Sequence, residues 1–164
     1  MNDNAIDELD RQILQRVQQD CLLKSEVIAA EIGLSASAVQ RRLKRLRQQG
    51  VIRAEVAVLD NRQLDRLMTF IAGLEIEREN YSAMDRLRRW ADQQPAIQQL
   101  YYVTGAVDLV AIILARDVEE YDHLTAEIMA NNPEIRRITT NVVLNSLKTG
   151  SQLPIAGLSG EKAG

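Results

Sequence analysis

The chain has 164 residues, 46% of them hydrophobic and 26% charged, with a formal net charge of −3, one cysteine and one histidine. That is a globular composition with room for one ordinary domain or two small ones. It excludes a membrane span, since no apolar run approaches ~20 residues; an internal disulfide, since Cys21 stands alone; and a metal cluster built on histidines, since His123 is the only one.

The opening MNDNAIDELD is acidic and polar, not the pattern of a secretory signal. A cytoplasmic location is therefore expected, in keeping with a lone thiol. LDRQILQRVQQD places Leu9, Ile13, Leu14 and Val17 at helical spacing. KSEVIAAEI follows, with Val27, Ile28 and Ile32 on one side. Gly33 then offers positive φ where a helix must stop and turn. Ser35 suits the N-cap of a third helix, in which Val39, Leu43 and Leu46 form an apolar stripe. Gly50 closes it.

Five of the seven residues 41–47 are basic, with no acid among them, in a chain that is acidic as a whole. The helix face opposite the apolar stripe carries Ser37, Arg41, Lys44 and Gln48, flanked by Gln40 and Arg45. A short helix, a glycine turn and a serine-capped second helix make the helix-turn-helix layout. Its second helix enters the major groove with N-terminal residues at base edges. Ala36, Ser37, Gln40 and Arg41, beside the Ser35 cap, are expected to read bases, because arginine suits guanine and glutamine suits adenine. Arg42, Lys44, Arg45 and Arg47 are expected to hold phosphates. The competing reading is a solvated charged face. The single sign of the charge, the spacing, and the lack of acids at i,i+4 within the helix favour double-stranded DNA.

VIRAEVAVLD alternates loosely and reads as a strand, and NRQLDRL as a polar connection. MTFIAGLEIE has period two and reads as a half-buried strand. NYSAMDRLRRWADQQ is an amphipathic helix with Met84, Leu87, Trp90 and Ala91 inward, and Pro95 ends that segment. AIQQLYYVTGAVDLVAIILA reads as two strands joined tightly at Gly105. RDVEEYDHLTAEIMANN is a second helix, with Val118, Tyr121, Leu124 and Ile128 on one side. EIRRITTNVVLNSLK is the last strand. The order β-α-β-β-α-β is the ferredoxin-like arrangement, both helices on one face of a four-stranded antiparallel sheet. LVAIILA is apolar at every position, so both its sides want burial. No third helix remains to cover the second face, which predicts a homodimer packed sheet to sheet.

The predicted fold class is α+β. Residues 1–52 form a helix-turn-helix, winged-helix-like DNA-binding domain, and residues 53–66 a connecting strand and linker. Residues 67–155 form a ferredoxin-like βαββαβ domain that also carries the dimer surface, and residues 156–164 a disordered tail.

Several pieces in this order resemble the Lrp/AsnC ("feast/famine") transcriptional regulators of bacteria and archaea. They are LDRQIL, GLSASAVQRRLKRLRQQGVI, AVLD, TGAVDLVAIILARDVEEYDHL and TTNVVLNSLK, and the resemblance runs from about residue 6 to 155. It implies dimers that often assemble into octamers or other higher oligomers, and a small effector, commonly an amino acid. It also implies an effector site at the loop between the second and third regulatory strands, here Thr104, Gly105, Ala106, Val107 and Asp108. Glycine lets a backbone approach a ligand, loop N–H groups can receive a carboxylate, and Asp108 can face an ammonium. Read without the resemblance, the same residues make a tight β-turn. Where the family often has proline after the LD of the connection, this chain has Asn61. Where it often has an aromatic residue after the loop aspartate, this chain has Leu109.

The reading is a DNA-binding transcriptional regulator modulated by a small effector such as an amino acid, with no enzymatic activity, cofactor, metal or membrane partner expected. A regulator without an effector is one alternative. An enzyme is another, since some haem-precursor decarboxylases are similar to the family in both domains. Such chemistry wants histidines or a cationic pocket in the regulatory half, where this chain has only His123.

Overall fold

A computed structural model describes residues 5–64, 66–77 and 81–155. Helix α1, Glu8–Val17, begins with a reciprocal capping box. Asp7 accepts from the Asp10 N–H at 2.8 Å, and Asp10 accepts from the Asp7 N–H at 3.1 Å. Each carboxylate thus serves an N–H that the helix start leaves without a partner. Helix α2, Ser25–Ile32, stops at Gly33, which takes the left-handed conformation at φ 71°. Helix α3, Ala36–Gln48, starts on Ser35, whose hydroxyl accepts from the Ala38 N–H at 3.2 Å.

The three helices close over Ile13, Val17, Ile28, Ala29, Val39 and Leu43, each valine, leucine or isoleucine contributing about 1.5–3 kcal/mol by leaving water. Val27, expected inward, is 44% exposed. With Ile28 and Ala29 both buried, the preceding residue lies a third of a turn off the apolar side.

The stretch expected as a connecting strand, residues 53–60, forms no strand and is exposed throughout. Alternation alone does not make a strand; the backbone needs a hydrogen-bonded neighbour, and no described segment supplies one. A short 3-10 turn follows, Asn61–Gln63. Here the Asn61 side chain stands in for a strand partner: its amide donates to the Leu67 carbonyl at 2.6 Å and its oxygen accepts from the Leu67 N–H at 2.8 Å.

The chain divides into two compact units, Met1–Val58 with Lys148–Gly164, and Leu59–Leu147. In the first, the chain's last described residues return to α1. The Gln18 side chain accepts from the Leu153 N–H and donates to the Leu153 carbonyl, both at 2.9 Å. The expected disordered tail, residues 156–164, lies outside the described residues.

The second unit runs β1 Met68–Ile76, α4 Tyr81–Ala91, β2 Ile97–Tyr102, β3 Leu109–Ala115, α5 Val118–Asn131 and β4 Ile135–Val142. Its sheet has the order β2-β3-β1-β4 with every neighbour antiparallel, which is the ferredoxin-like arrangement. Phe70, Ala72 and Leu74 alternate inward on β1, and Leu109, Ala111, Ile113 and Ala115 on β3. They pack with Leu87 of α4 and with Tyr121, Leu124 and Ile128 of α5. The Phe70 and Tyr121 rings stack with centroids 4.0 Å apart, and the Tyr121 hydroxyl lies 2.6 Å from the Thr140 hydroxyl. Val118, expected inward, is 59% exposed, because it opens the first turn after the Asp117 cap. On the other face of the sheet Ile71, Val110, Ile112 and Leu114 are only half-buried. Sheet order and alternation thus leave an apolar second face.

Candidate nucleic-acid interface and effector cleft

Helix α3 sorts its polar side chains into three groups. Val39, Leu43 and Leu46 are buried, and their spacing turns Ser37, Arg41, Lys44 and Gln48 outward; all four are exposed, as are Ser35 and Gln40. Ser35 is engaged as the cap and its hydroxyl lies 3.1 Å from that of Ser37. Ala36 is half-buried at the helix start. Arg41 and Lys44 have no ion-pair partner among the described residues.

Arg42 and Arg45 occupy one flank and meet α1. Arg42 donates from Nη1 to Asp7 at 2.7 Å and to Asp10 at 2.9 Å, and Arg45 donates from Nη2 to the other oxygen of Asp10. Asp10 is fully buried. On the opposite flank Arg47 grips Glu55 with two bonds, Nη2 at 2.8 Å and Nε at 3.3 Å. The electrostatics follow. Burial pushes the Asp7 carboxyl up, but the Asp10 N–H and the Arg42 guanidinium outweigh it and hold Asp7 below the ordinary aspartate value. The hydrogen bond to Asp7, then that to Asp10, raise Arg42 despite its burial. The bond to Glu55 raises Arg47. Sequence reasoning looked for acids within α3 and missed Asp7, Asp10 and Glu55. The available signal was the pair of acids three residues apart at the start of α1, a spacing that puts both on one side of the helix.

In the second unit the loop between β2 and β3 is fastened to β1. The Val103 N–H bonds to the Asp108 carbonyl at 2.9 Å and the Asp108 N–H to the Leu74 carbonyl at 3.0 Å. One carboxylate oxygen of Asp108 accepts from the Ile76 N–H at 2.8 Å, at the point where the β1–β4 register shifts between Glu75 and Ile76. The aspartate thus supplies an acceptor where the strand ladder is irregular. Gly105 has φ 130°, a conformation open to glycine. Val107 folds over Gly73 of β1: a Cβ on Gly73 would lie 2.9 Å from Val107 Cγ1.

Beside this loop is a cleft of about 550 Å³ lined by Glu75, Ile76, Glu77, Gly105, Ala106, Asp108 and Arg136. Of the five loop residues expected at an effector, Gly105, Ala106 and Asp108 line it. Thr104 is exposed and Val107 packs on the sheet, and neither is among the lining residues. The sequence did not point to Glu75, Ile76, Glu77 or Arg136, because the β1 end and the β4 start meet the loop only through sheet order. Leu109 is buried in the core, so its departure from an aromatic residue does not alter the cleft wall directly. The cleft joins a guanidinium able to hold a carboxylate to carboxylates able to hold an ammonium, the two ends of an amino acid. Among the described residues no group of acidic, histidine or cysteine side chains is placed to hold a metal ion, and no helix is long and apolar enough to cross a membrane.

Comparison with known proteins covers both units. The model of the AsnC-type helix-turn-helix domain matches residues 6–47, and that of the Lrp/AsnC ligand binding domain matches residues 69–153. The chain is 37% identical over 150 residues, 92% of its length and 89% of the relative's, to an uncharacterized HTH-type transcriptional regulator, y4tD, of Sinorhizobium fredii. The crystal structure of an AsnC family transcriptional regulator from Agrobacterium tumefaciens superposes with a TM-score of 0.83 at 26% identity, over 93% of this chain and 99% of that one. A transcriptional regulator from Neisseria meningitidis, solved as a complex with L-Met, has the same fold, with a TM-score of 0.82 at 22% identity over 92% and 97% of the two chains.

Proposed function

The chain belongs to the Lrp/AsnC family of DNA-binding transcriptional regulators, and on that footing we propose that α3 reads operator DNA while the Gly105–Ala106–Asp108 cleft takes an amino acid that modulates the binding. Ser35, Ala36, Ser37, Gln40 and Arg41 lie at the groove edge of α3, and Lys44 neutralises phosphate. The observation that carries the DNA reading is the pair Arg41 and Lys44, exposed on the face opposite the core and with no ion-pair partner among the described residues. For the cleft, Arg136 receives the ligand carboxylate, and the second oxygen of Asp108, with Glu75 and Glu77, receives the ammonium. The L-Met bound by the regulator from Neisseria meningitidis supports that class of ligand.

The half-buried face of Ile71, Val110, Ile112 and Leu114 is the surface of a homodimer, from which an octamer or another higher assembly is built. Protein and DNA meet in the cytoplasm. The mechanism is linkage. An effector that binds one assembly geometry better shifts the population toward it, and with it the spacing of helix-turn-helix units against half-sites.

Two measurements test this. Operators are selected from a random duplex pool, and Arg41→Ala is compared on a selected site and on a scrambled one. A larger loss on the selected site is expected; equal loss reassigns Arg41 to a phosphate. The full chain is then melted against the twenty amino acids, with Asp108→Asn and Asp108→Ala alongside. The asparagine keeps an acceptor for the Ile76 N–H and removes the charge. It is expected to retain the melting temperature and lose the ligand-induced rise. The alanine strands that N–H, at about 1–3 kcal/mol, and loses both. No shift with any amino acid, in a protein that binds its operator, would leave a regulator without an amino-acid effector.

A further inference from the structure

We propose that the acidic first turn of α1 is a clamp for the recognition helix, and that Arg42 and Arg45 serve this clamp rather than DNA, leaving Arg41 and Lys44 as the cations that α3 presents to it. The inference rests on α3 being the DNA-reading helix and assigns positioning residues within it.

Asp10 is 0% exposed, and a buried carboxylate is costly unless fully paired. Its partners are the Asp7 N–H, Arg42 and Arg45. If either guanidinium left for a phosphate, it would abandon a charge that cannot follow it into water. Arg45 is turned inward by a second measure: its Nε is buried and bonds to nothing, whereas a guanidinium aimed at a phosphate keeps its fork in solvent.

The clamp also acts on orientation. Arg42 and Arg45 are three residues apart on one flank of α3, and Asp7 and Asp10 are three apart at the start of α1, where they also form the capping box. Two points on each helix fix the rotation of α3 about its own axis. Arg41 and Lys44 are also three apart, on the neighbouring exposed face, so the rotation that seats Arg42 and Arg45 in the clamp is the one that sends Arg41 and Lys44 outward. Asp7 and Asp10 are thus positioning residues: they touch no DNA and set which face meets it. A run of five basic residues then delivers about two charges from the exposed face. Arg47 follows the same pattern on the other flank, held by Glu55.

The test is the salt dependence of DNA binding by the full chain, measured on a selected operator and a scrambled duplex between about 50 and 200 mM salt, where the slope changes by ~0.9 per phosphate contact. Lys44→Ala is expected to reduce the slope by ~0.9 per helix-turn-helix unit on both duplexes, and Arg41→Ala to cost more affinity on the operator than on the scrambled duplex. Arg42→Ala and Arg47→Gln, both within pairs that have some solvent access, are expected to leave the slope unchanged. Asp10→Asn is expected to lower operator affinity and narrow the gap between operator and scrambled DNA, with the slope again unchanged. Where Asp10→Asn fails to fold, judged by circular dichroism, Arg42→Ala and Arg42→Lys carry the test. The lysine retains the charge and is expected to restore most of the discrimination lost by the alanine. A slope reduced by Arg42→Ala, or a preference for operator over scrambled DNA left intact by Asp10→Asn, overturns the clamp. If Lys44→Ala leaves the slope untouched and Arg41→Ala changes affinity on neither duplex, α3 is not the DNA-reading helix and the underlying reading fails instead.

Discussion

Replacing Gly73 with alanine tests whether the floor beneath the β2–β3 loop is as tight as the geometry makes it. Gly73 sits in the middle of β1, opposite Val110 on β3 and Thr139 on β4. An added Cβ would stand 2.9 Å from Val107 Cγ1, 3.3 Å from Cγ2 and 3.5 Å from Cβ, while ordinary contact begins at 3.4 Å. Val107 must therefore retreat by roughly half an ångström. A β-branched side chain has little rotational freedom with which to do so, and its loop is tied to β1 through Asp108. Such overpacking costs about 1–3 kcal/mol, against a gain of about 0.4–1 kcal/mol from the less flexible unfolded chain. The net expectation is a loss of ~0.5–2 kcal/mol. Trp90, the only tryptophan, packs at the edge of this unit's core, so urea unfolding followed by its fluorescence reads this unit. In the Val107→Ala background the alanine at 73 should cost nothing or stabilise, a coupling of about 1–2 kcal/mol. A Gly73→Ala protein as stable as the parent in both backgrounds would refute the reasoning.

Other expectations follow from single contacts. Ile112→Asp, on the half-buried sheet face, is expected to shift the chain to monomer by sedimentation at micromolar concentration with the helical content kept; an unchanged assembly would move the interface elsewhere. Asn61→Ala removes both side-chain bonds to the Leu67 backbone and is expected to cost about 1–3 kcal/mol in urea unfolding, whereas a loss within error would make that clamp incidental. Because Asp7 is held below the ordinary aspartate value of about 3.9, its contribution to stability is present above that pH and is lost as pH falls through its folded value. Thermal melts of wild type and Asp7→Asn should therefore converge as pH drops below about 4. Tyr121→Phe keeps the stack on Phe70 and removes the hydroxyl bond to Thr140, with an expected cost of about 0.5–1.5 kcal/mol in urea unfolding.

The elements that sequence reading caught are those whose evidence is local. Val39, Leu43 and Leu46 announce a helix, Phe70, Ala72 and Leu74 a strand, and Gly33 and Ser35 the turn between two helices, because each pattern repeats within one segment. What it missed was contributed by distant segments. Residues 53–60 alternate as a strand does, but a strand is a property of two segments, and this one has no described neighbour. Glu75 and Glu77 reach the cleft because β1 lies beside β3, and Arg136 because β4 lies beside β1, placements that periodicity does not encode. The sequence shows only that Asn61 stands where the family often has proline; the structure shows what asparagine does there, making a side-chain bridge to Leu67 that proline has no groups to form. Leu109, where the family often has an aromatic residue, directly follows Asp108 in sequence, yet strand alternation turns it to the core.

The same distinction governs charge. A net charge of −3 suggests a poor partner for DNA, and a run of five basic residues suggests a strong one; neither sum is what a phosphate meets. Asp7 and Asp10 absorb Arg42 and Arg45, Glu55 absorbs Arg47, and in the second unit Glu134 absorbs Arg86 at 2.5 Å. Asp108 spends half its carboxylate on a backbone N–H. Many acids of this chain therefore act as connectors, each fixing a backbone or a guanidinium in place, and their charge is largely cancelled where it stands. The field presented to solvent is set by the groups left over on α3, Arg41 and Lys44, and in the cleft by Arg136 with Glu75, Glu77 and the free oxygen of Asp108. Since fields fall off within a Debye length of about 8 Å at physiological salt, those few local groups decide association, and the balance of the whole chain bears chiefly on solubility.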